Sequence, residues 1–485
     1  MNQADLPLLN ALQTQASRPY APFHTPGHKQ GRGAPPELVA LLSTQGLRAD
    51  LPELPELDNL FAPQGPILAA QELAAEAFGA DQTWFLANGS TSGVIAAIAA
   101  TCGPGDRLIL PRNVHQSAIA GLVVSGATPV FVAPVYDPAQ GLAYGLDPEA
   151  IAQALVDHPQ TKAVLIVSPT YEGVCADVAA IAAIAHRHGV PLIVDEAHGP
   201  HFAFYPELPP SALAAGADLV IQSTHKILSA LTQAAMLHLR GDRVMPRRIS
   251  QALQLVQSTS PNYWLLASLD AARHQMATEG PARMAAAIAL ARRAREQLQA
   301  LPGLSLLEPP PVPQPGFAAL DLTRITVDVT QWGFDGFAAD QRLHEAFGVT
   351  AELPTLRRLT FLVTLGNTDA DIEALVQGFH RLAAEASAPL VPAPWQPLEA
   401  DGPLARSPRE AFFGSQTTVP LAEAVGTISA ATVCPYPPGI PVLLPGERIT
   451  PAAVRLVQEV LAAGGFVTGC GEEADPRVNV LQESL

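Results

Sequence analysis

Through residues 103–226 the chain repeats one pattern, a short apolar, β-branched run that ends in polar residues, with alanine-rich stretches such as residues 177–188 between most of the runs. The runs are PGDRLILPRNVH, ATPVFVAPVYD, KAVLIVSPTYEG, VPLIVDEAH and ADLVIQSTHK. Strand-length runs alternating with helical stretches predict an α/β fold with a mostly parallel sheet and helices on both faces. Open sheets of this kind carry their chemistry beyond the carboxyl ends of the strands. The run ends supply Asn113 and His115, Ser168 and Thr170, Asp195 and His198, and Ser223 to Lys226. Together they line one edge.

Lys226 is the sharpest of these. The sequence has three lysines, Lys29, Lys162 and Lys226, and arginine carries the remaining positive charge. A lysine kept just after an apolar strand is not a generic solubilising residue. Its amine can condense with an aldehyde, and pyridoxal phosphate is the common aldehyde cofactor. The ring nitrogen of that cofactor needs an acidic partner, which Asp195 offers. A strand-end lysine that only pairs with a carboxylate is the alternative.

Upstream, TWFLA runs into NGSTSG and the small-residue stretch VIAAIAA. Strand, glycine-hydroxyl turn and helix make a phosphate cradle, with Ser90 and Thr91 as donors, although an ordinary helix cap has the same composition. His115, at a strand exit like those of Asp195 and Lys226, could stack on a flat ring. Asp195-Glu196-Ala197-His198 also spells a helicase signature, but that reading needs a phosphate loop ending in Gly-Lys, and no lysine here follows a glycine.

The chain's 485 residues predict two or three domains. A net charge of −17 excludes non-specific binding to nucleic acid or an anionic membrane and suits a cationic small molecule. Cys102, Cys175, Cys434 and Cys470 lack C-x-x-C spacing, so neither zinc nor a disulfide framework is indicated. The first residues lack a secretory pattern and no apolar run reaches membrane-spanning length. The expectation is a soluble, cytoplasmic protein without nucleic-acid or membrane partners.

Elsewhere the pattern predicts an amphipathic helix over residues 1–20 and a loop at PFHTPGHKQGRG that presents His24, His28 and Lys29. An acidic segment follows at 49–60, then a helix at 69–78 closed by Gly79. Residues 251–276 read as helical at both ends and broken at Ser260-Pro261, with a new long helix at 281–301. Residues 307–316 are a proline-rich loop. Strands at 324–329 and 358–363 and helices at 334–347 and 369–385 make a compact α/β unit. Residues 428–450 read as a rigid, buried, proline-rich segment, and the last helix is expected near 451–463. The expected domains are an N-terminal segment 1–75, a cofactor-binding domain 76–285, a small α/β domain 286–387, a linker 388–403 and a C-terminal domain 404–485.

Nine motifs then stand in order: HTPGHKQG, ELPELDNL, NGSTSG, PRNVHQS, SPTYEG, VDEAHGPHF, STHKILSALTQ, QSTSPNYWLLASLD and PYPPGIPVLLPGE. The chain carrying them resembles the Orn/Lys/Arg decarboxylase family, bacterial pyridoxal-phosphate enzymes of fold type I, in its short form without a response-regulator-like wing. The resemblance covers residues 18–280 and 420–450. It implies an aspartate-aminotransferase-like fold with a mostly parallel central sheet, a smaller α/β domain and a C-terminal decarboxylase domain. It also implies pyridoxal 5'-phosphate as cofactor, arginine, lysine or ornithine as substrate, a role in polyamine metabolism, and a homodimer or higher homo-oligomer. Residue by residue, Lys226 matches the lysine that binds the cofactor, Asp195 the partner of its ring nitrogen, and His115 the histidine stacked on the ring. His198 lies near the cofactor, while Ser90, Thr91, Ser223 and His225 match its phosphate and active-site neighbours. Lys226 or a nearby histidine is the proton donor. The substrate's distal cation would meet a carboxylate, with residues 50–58 of this subunit or its partner as candidates. Thr427, where the family carries a basic residue, and Glu172, in place of an aspartate, depart from the pattern. An aminotransferase or lyase of the same fold and a non-catalytic regulatory homologue are the competing readings.

Overall fold

The computed structural model describes residues 1–390, 404–436, 439–471 and 476–482. Seven strands form one sheet: β1 (Gln82–Leu86), β2 (Arg107–Pro111), β3 (Thr128–Val132), β4 (Thr161–Val167), β5 (Leu192–Asp195), β6 (Leu219–Gln222) and β7 (Ala235–Leu239). Their order is β1-β7-β6-β5-β4-β2-β3. β2 is parallel to β3 and β4, whereas β7 is antiparallel to both β1 and β6. The runs LIVD, LVIQ and AMLHL are buried along their whole length, as expected of strands covered on both faces. β7 turns back on β6 because residues 223–234 hold only the short helix Thr224–Ile227, not a crossover.

Local chemistry explains the helix bounds. Asp147 and Asp177 cap the helices Pro148–Asp157 and Val178–Arg187, accepting from Glu149 N and Ala180 N. The first cradle helix spans Gly89–Thr101, so NGSTSG is largely its opening turn and not a loop ahead of it. The largest correction concerns the helix expected to begin at Pro281: one helix runs Tyr263–Gln299 straight through that proline. Gly280 lets it continue, since a preceding residue without Cβ escapes much of the clash with the proline ring.

Two compact units divide the chain, residues 1–100 with 194–284 and residues 101–193 with 285–485. In the first, the N-terminal helix is shorter than the sequence suggested, Pro7–Ser17, and buries Leu8 and Leu12. Its capping residue, Leu6, has no side-chain acceptor to offer. Asp270 serves instead, accepting from Leu8 N at 3.0 Å and Leu9 N at 3.3 Å. Asp270 also pairs with the fully buried Arg273, which donates to Gln3 O and Asp5 O. Asp270→Ala removes the cap and strands a buried guanidinium, and should cost about 3–5 kcal/mol in urea unfolding.

In the second unit, strands β8 (Ser305–Leu306), β9 (Arg324–Asp328), β10 (Leu353–Pro354) and β11 (Arg358–Leu362) form a sheet ordered β8-β9-β11-β10. Helices Gly336–Phe347 and Asp369–Ala384 pack with it around Val327, Leu343, Leu359 and Phe379. The helix Pro451–Ala462 and the ladder of Gln416–Pro420 with Arg477–Leu481 enclose a separate core of Leu421, Val433, Leu443, Val457 and Val480. The proline-rich stretch is buried at residues 441–446, as expected. Of the expected linker 388–403, residues 391–403 lie outside the described residues.

Candidate active site

Within the first unit, β5 ends in Asp195 and β6 runs into Ser223-Thr224-His225-Lys226. Lys226 Nζ lies 2.9 Å from His198 Nε2. Asp195 is buried and accepts from Ala197 N at 3.1 Å. Burial raises its carboxyl above the usual range, and the Lys226 charge opposes that shift. His225 Nδ1 faces Ala234 O at 3.0 Å, and burial lowers the pKa of its imidazole. Lysine, imidazole and carboxylate thus converge where two strand ends were expected to meet.

The cradle forms beside them. Ser223 Oγ donates to Ser90 Oγ at 2.8 Å, which joins the end of β6 to the first turn of the Gly89–Thr101 helix. Thr91 sits on the same turn and is exposed. Ala87, just before that turn, is clamped on both sides, its N–H by Gln257 at 2.8 Å and its carbonyl by Gln233 at 2.5 Å. Thr224, fully buried, has a hydroxyl with no hydrogen-bond partner among the described residues. Sequence reasoning passed over Gln233 and Gln257, although each lies inside a motif quoted above, and gave Thr224 no role of its own.

His115 belongs to the second unit. It caps the helix Gln116–Ser125, its Nδ1 accepting from Ser117 N at 3.2 Å. Gln116 N donates to Gly439 O, and the Gly439 backbone lies so close to the imidazole that a Cβ there would fall 2.8 Å from His115 Cδ2. Three residues before His115, Arg112 forks onto Glu447 with two bonds of 2.9 Å and donates to Pro441 O and Val442 O. PRNVHQS and PYPPGIPVLLPGE therefore dock on each other, a pairing that sequence order did not reveal.

The acidic segment has other work. Asp58, at φ 76°, accepts backbone N–H groups from Asn59, Gln64, Gly65, Ile67 and Leu68 and so caps the helix Pro66–Phe78. Glu53 holds Asn59 and Leu60, Glu56 pairs with Arg18, and Asp50 with His28. Each of these acids thus has a partner in this chain, within the segment itself for Asp58 and Glu53 and on Arg18 and His28 for Glu56 and Asp50.

Burial shifts two groups behind the site in opposite senses: Glu196 up to about 8 and His238 down to about 3. For Glu196 the folded value lies above 4.5, so its contribution to stability is present below that pH and lost as pH rises through about 8. For His238 the contribution is present above 6.5 and lost as pH falls toward about 3. Glu196→Gln and His238→Gln should each flatten one limb of the unfolding free energy plotted against pH.

The family description "Orn/Lys/Arg decarboxylase, major domain" matches residues 6–377, and the C-terminal domain of the same family matches 402–466. The chain belongs to the Orn/Lys/Arg decarboxylase family. Among curated proteins, the arginine decarboxylase of Bacillus subtilis is 38% identical over 100% of this chain and 99% of its own length. That of Halalkalibacterium halodurans is 37% identical over 99% and 98%. The lysine decarboxylase LdcA of Pseudomonas aeruginosa is 25% identical, covering 95% of this chain and 76% of its own. Among solved structures, the constitutive lysine decarboxylase of E. coli shares the fold at a TM-score of 0.80 and 22% identity, over 99% of this chain and 82% of that one. Sphingomonas wittichii serine palmitoyltransferase follows at 0.51 and 19% identity over 66% and 76%. Fold type I with a mostly parallel central sheet, the family expectation, is therefore the fold of this chain.

Proposed function

We propose that this member of the Orn/Lys/Arg decarboxylase family is a pyridoxal-phosphate-dependent decarboxylase of a basic amino acid, with arginine as its first candidate substrate. The observation that carries the reading is Lys226 Nζ within 2.9 Å of His198 Nε2, at a strand end whose neighbour closes on the buried Asp195. Arginine leads because the relatives named arginine decarboxylase match nearly their whole length at 37–38% identity, against 25% for the lysine enzyme named above.

The residues fit the cofactor. The paired hydroxyls of Ser90 and Ser223, the open donor of Thr224 and the N-terminus of a 13-residue helix suit a phosphate dianion. Asp195 spends one oxygen on Ala197 and would hold the ring nitrogen in its protonated form with the other. When bound, pyridoxal phosphate supplies a sink for the electron pair that departing carbon dioxide leaves behind. Lys226 holds the aldehyde end in place, and His198 can take or return the proton of its Nζ. Thr91, His225 and His115 complete the proposed binding set, His115 by stacking. The net charge of −17 steers a cationic substrate inward.

On the same reading the protein is a cytoplasmic homodimer or larger homo-oligomer, with domains at 76–285, 286–387 and 404–485. Among the described residues no helix is long and apolar enough to cross a membrane. Purified protein loaded with pyridoxal phosphate and given arginine, lysine or ornithine separately should release carbon dioxide and the matching amine from arginine first. Cofactor absorbance without carbon dioxide would favour an aminotransferase or lyase instead, and neither signal would favour a non-catalytic protein.

A further inference from the structure

Four polar side chains run through the apolar sheet directly behind Asp195, and none of the steps above uses them. Thr83 in β1 meets His238 in β7, Oγ1 to Nδ1, at 2.8 Å. His238 Nε2 meets Gln222 Oε1, at the end of β6, at 3.1 Å. Gln222 Nε2 donates to Glu196 Oε2 at 2.7 Å. The other oxygen of Glu196 accepts from Ala212 N at 2.7 Å. Each of the four is at most 2% exposed. The order of the chain, β1, β7, β6 and then the residue after β5, is the order of the strands themselves.

The bonding has a direction. With Gln222 Nε2 on an ionised Glu196, the Gln222 oxygen accepts from His238 Nε2 and a neutral imidazole takes the Thr83 hydroxyl at Nδ1; a protonated Glu196 reverses the amide and with it the chain. Burial keeps the imidazole neutral in either direction, and the ring stacks on Phe78 at 4.9 Å. Four buried polar groups cost desolvation that apolar side chains would avoid, and such networks persist where they specify one geometry. What this one specifies is the main chain at the end of β5. Glu196 N donates to Ile221 O at 2.9 Å, Gly199 N donates to Glu196 O at 3.0 Å, and a Cβ on Gly199 would fall 2.8 Å from Glu196 Cγ. The residue fixed on every side is the one bonded to Asp195.

We propose that Glu196 and Gln222, backed by His238 and Thr83, are positioning residues that hold Asp195 at the angle its bond to the cofactor's ring nitrogen requires. The proposal rests on the reading that Asp195 meets that nitrogen. Its test uses full-length protein loaded with pyridoxal phosphate. Glu196→Leu and Gln222→Leu are compared with wild type for the midpoint of the pH titration of the bound cofactor's absorbance, for kcat and KM with arginine, and for thermal unfolding.

Both variants should move the titration midpoint and lower kcat about 10-fold with KM little changed, the signature of an interaction made mainly in the transition state. Glu196→Gln should restore the wild-type values, because an amide pair can rebuild the chain with its direction reversed. Variants that unfold earlier yet keep the wild-type titration and kcat would overturn the proposal. If the leucine variants do not fold, Thr83→Val, nearly isosteric and at the far end, should give the same shift at smaller size, and no shift there would overturn it. Asp195→Asn separates the two readings. If it leaves the titration unmoved, the assignment of Asp195 itself is at fault; if it moves the titration while the chain variants do not, only the positioning inference fails.

Discussion

Lys226→Ala should lower decarboxylation by about 10³-fold or more and abolish the absorbance band of cofactor joined to the protein, while leaving the fold intact. On the proposed reading the effect is large because this one side chain both holds the aldehyde end and carries a proton, at Nζ, that His198 can exchange. Neither Lys29, on the N-terminal loop, nor Lys162, exposed on β4, can take its place. Cofactor binding should survive in weakened form, since the proposed phosphate cradle of Ser90, Ser223 and Thr224 remains. Steady-state release of carbon dioxide and a spectrum of the dialysed protein check both halves. A variant retaining the band would mean that another amine, and another site, carries the chemistry.

Asp195→Asn should reduce kcat by about 10²–10³-fold, the scale on which a preorganised charge aimed at the reacting system is worth its place. The same change should raise thermal stability. Asp195 is buried and burial has raised its pKa, so the folded protein bears a desolvation cost that a neutral amide of the same shape avoids. Opposite signs in the two measurements are the signature of a group kept for function at the expense of the fold. A variant less active and also less stable would mark Asp195 as structural, held for its bond to Ala197.

Much of the candidate site's placement at strand ends was legible before any coordinates. Local pattern marks where strands end, and strand ends are where an α/β sheet places its chemistry, so Asp195, His198, Ser223 and Lys226 could be picked from the runs that precede them. The stretch 177–188, read as alanine-rich between two runs, is a helix whose cap, Asp177, lies next to what it caps. Other parts had no local signal. Pro281 reads as a helix start, yet in the fold it lies inside the helix Tyr263–Gln299. Asp58 belongs by composition to a solvated acidic face, yet in the fold it gathers the first N–H groups of a helix beyond it in the chain.

The sequence by itself determined the order of most strands and helices along the chain and the strand ends at which Asp195 and Lys226 stand. These follow from periodicity and from the residues on either side. Tertiary structure alone decided the partners: Asp270 at the N-terminus of a helix 262 positions away, Arg112 on Glu447 across 335, and Thr83, His238, Gln222 and Glu196 in a line. The physical reason is that a hydrogen bond between side chains depends on which strands become neighbours. The sheet order β1-β7-β6-β5 is settled by the packing of the whole core, and no window of adjacent residues contains it.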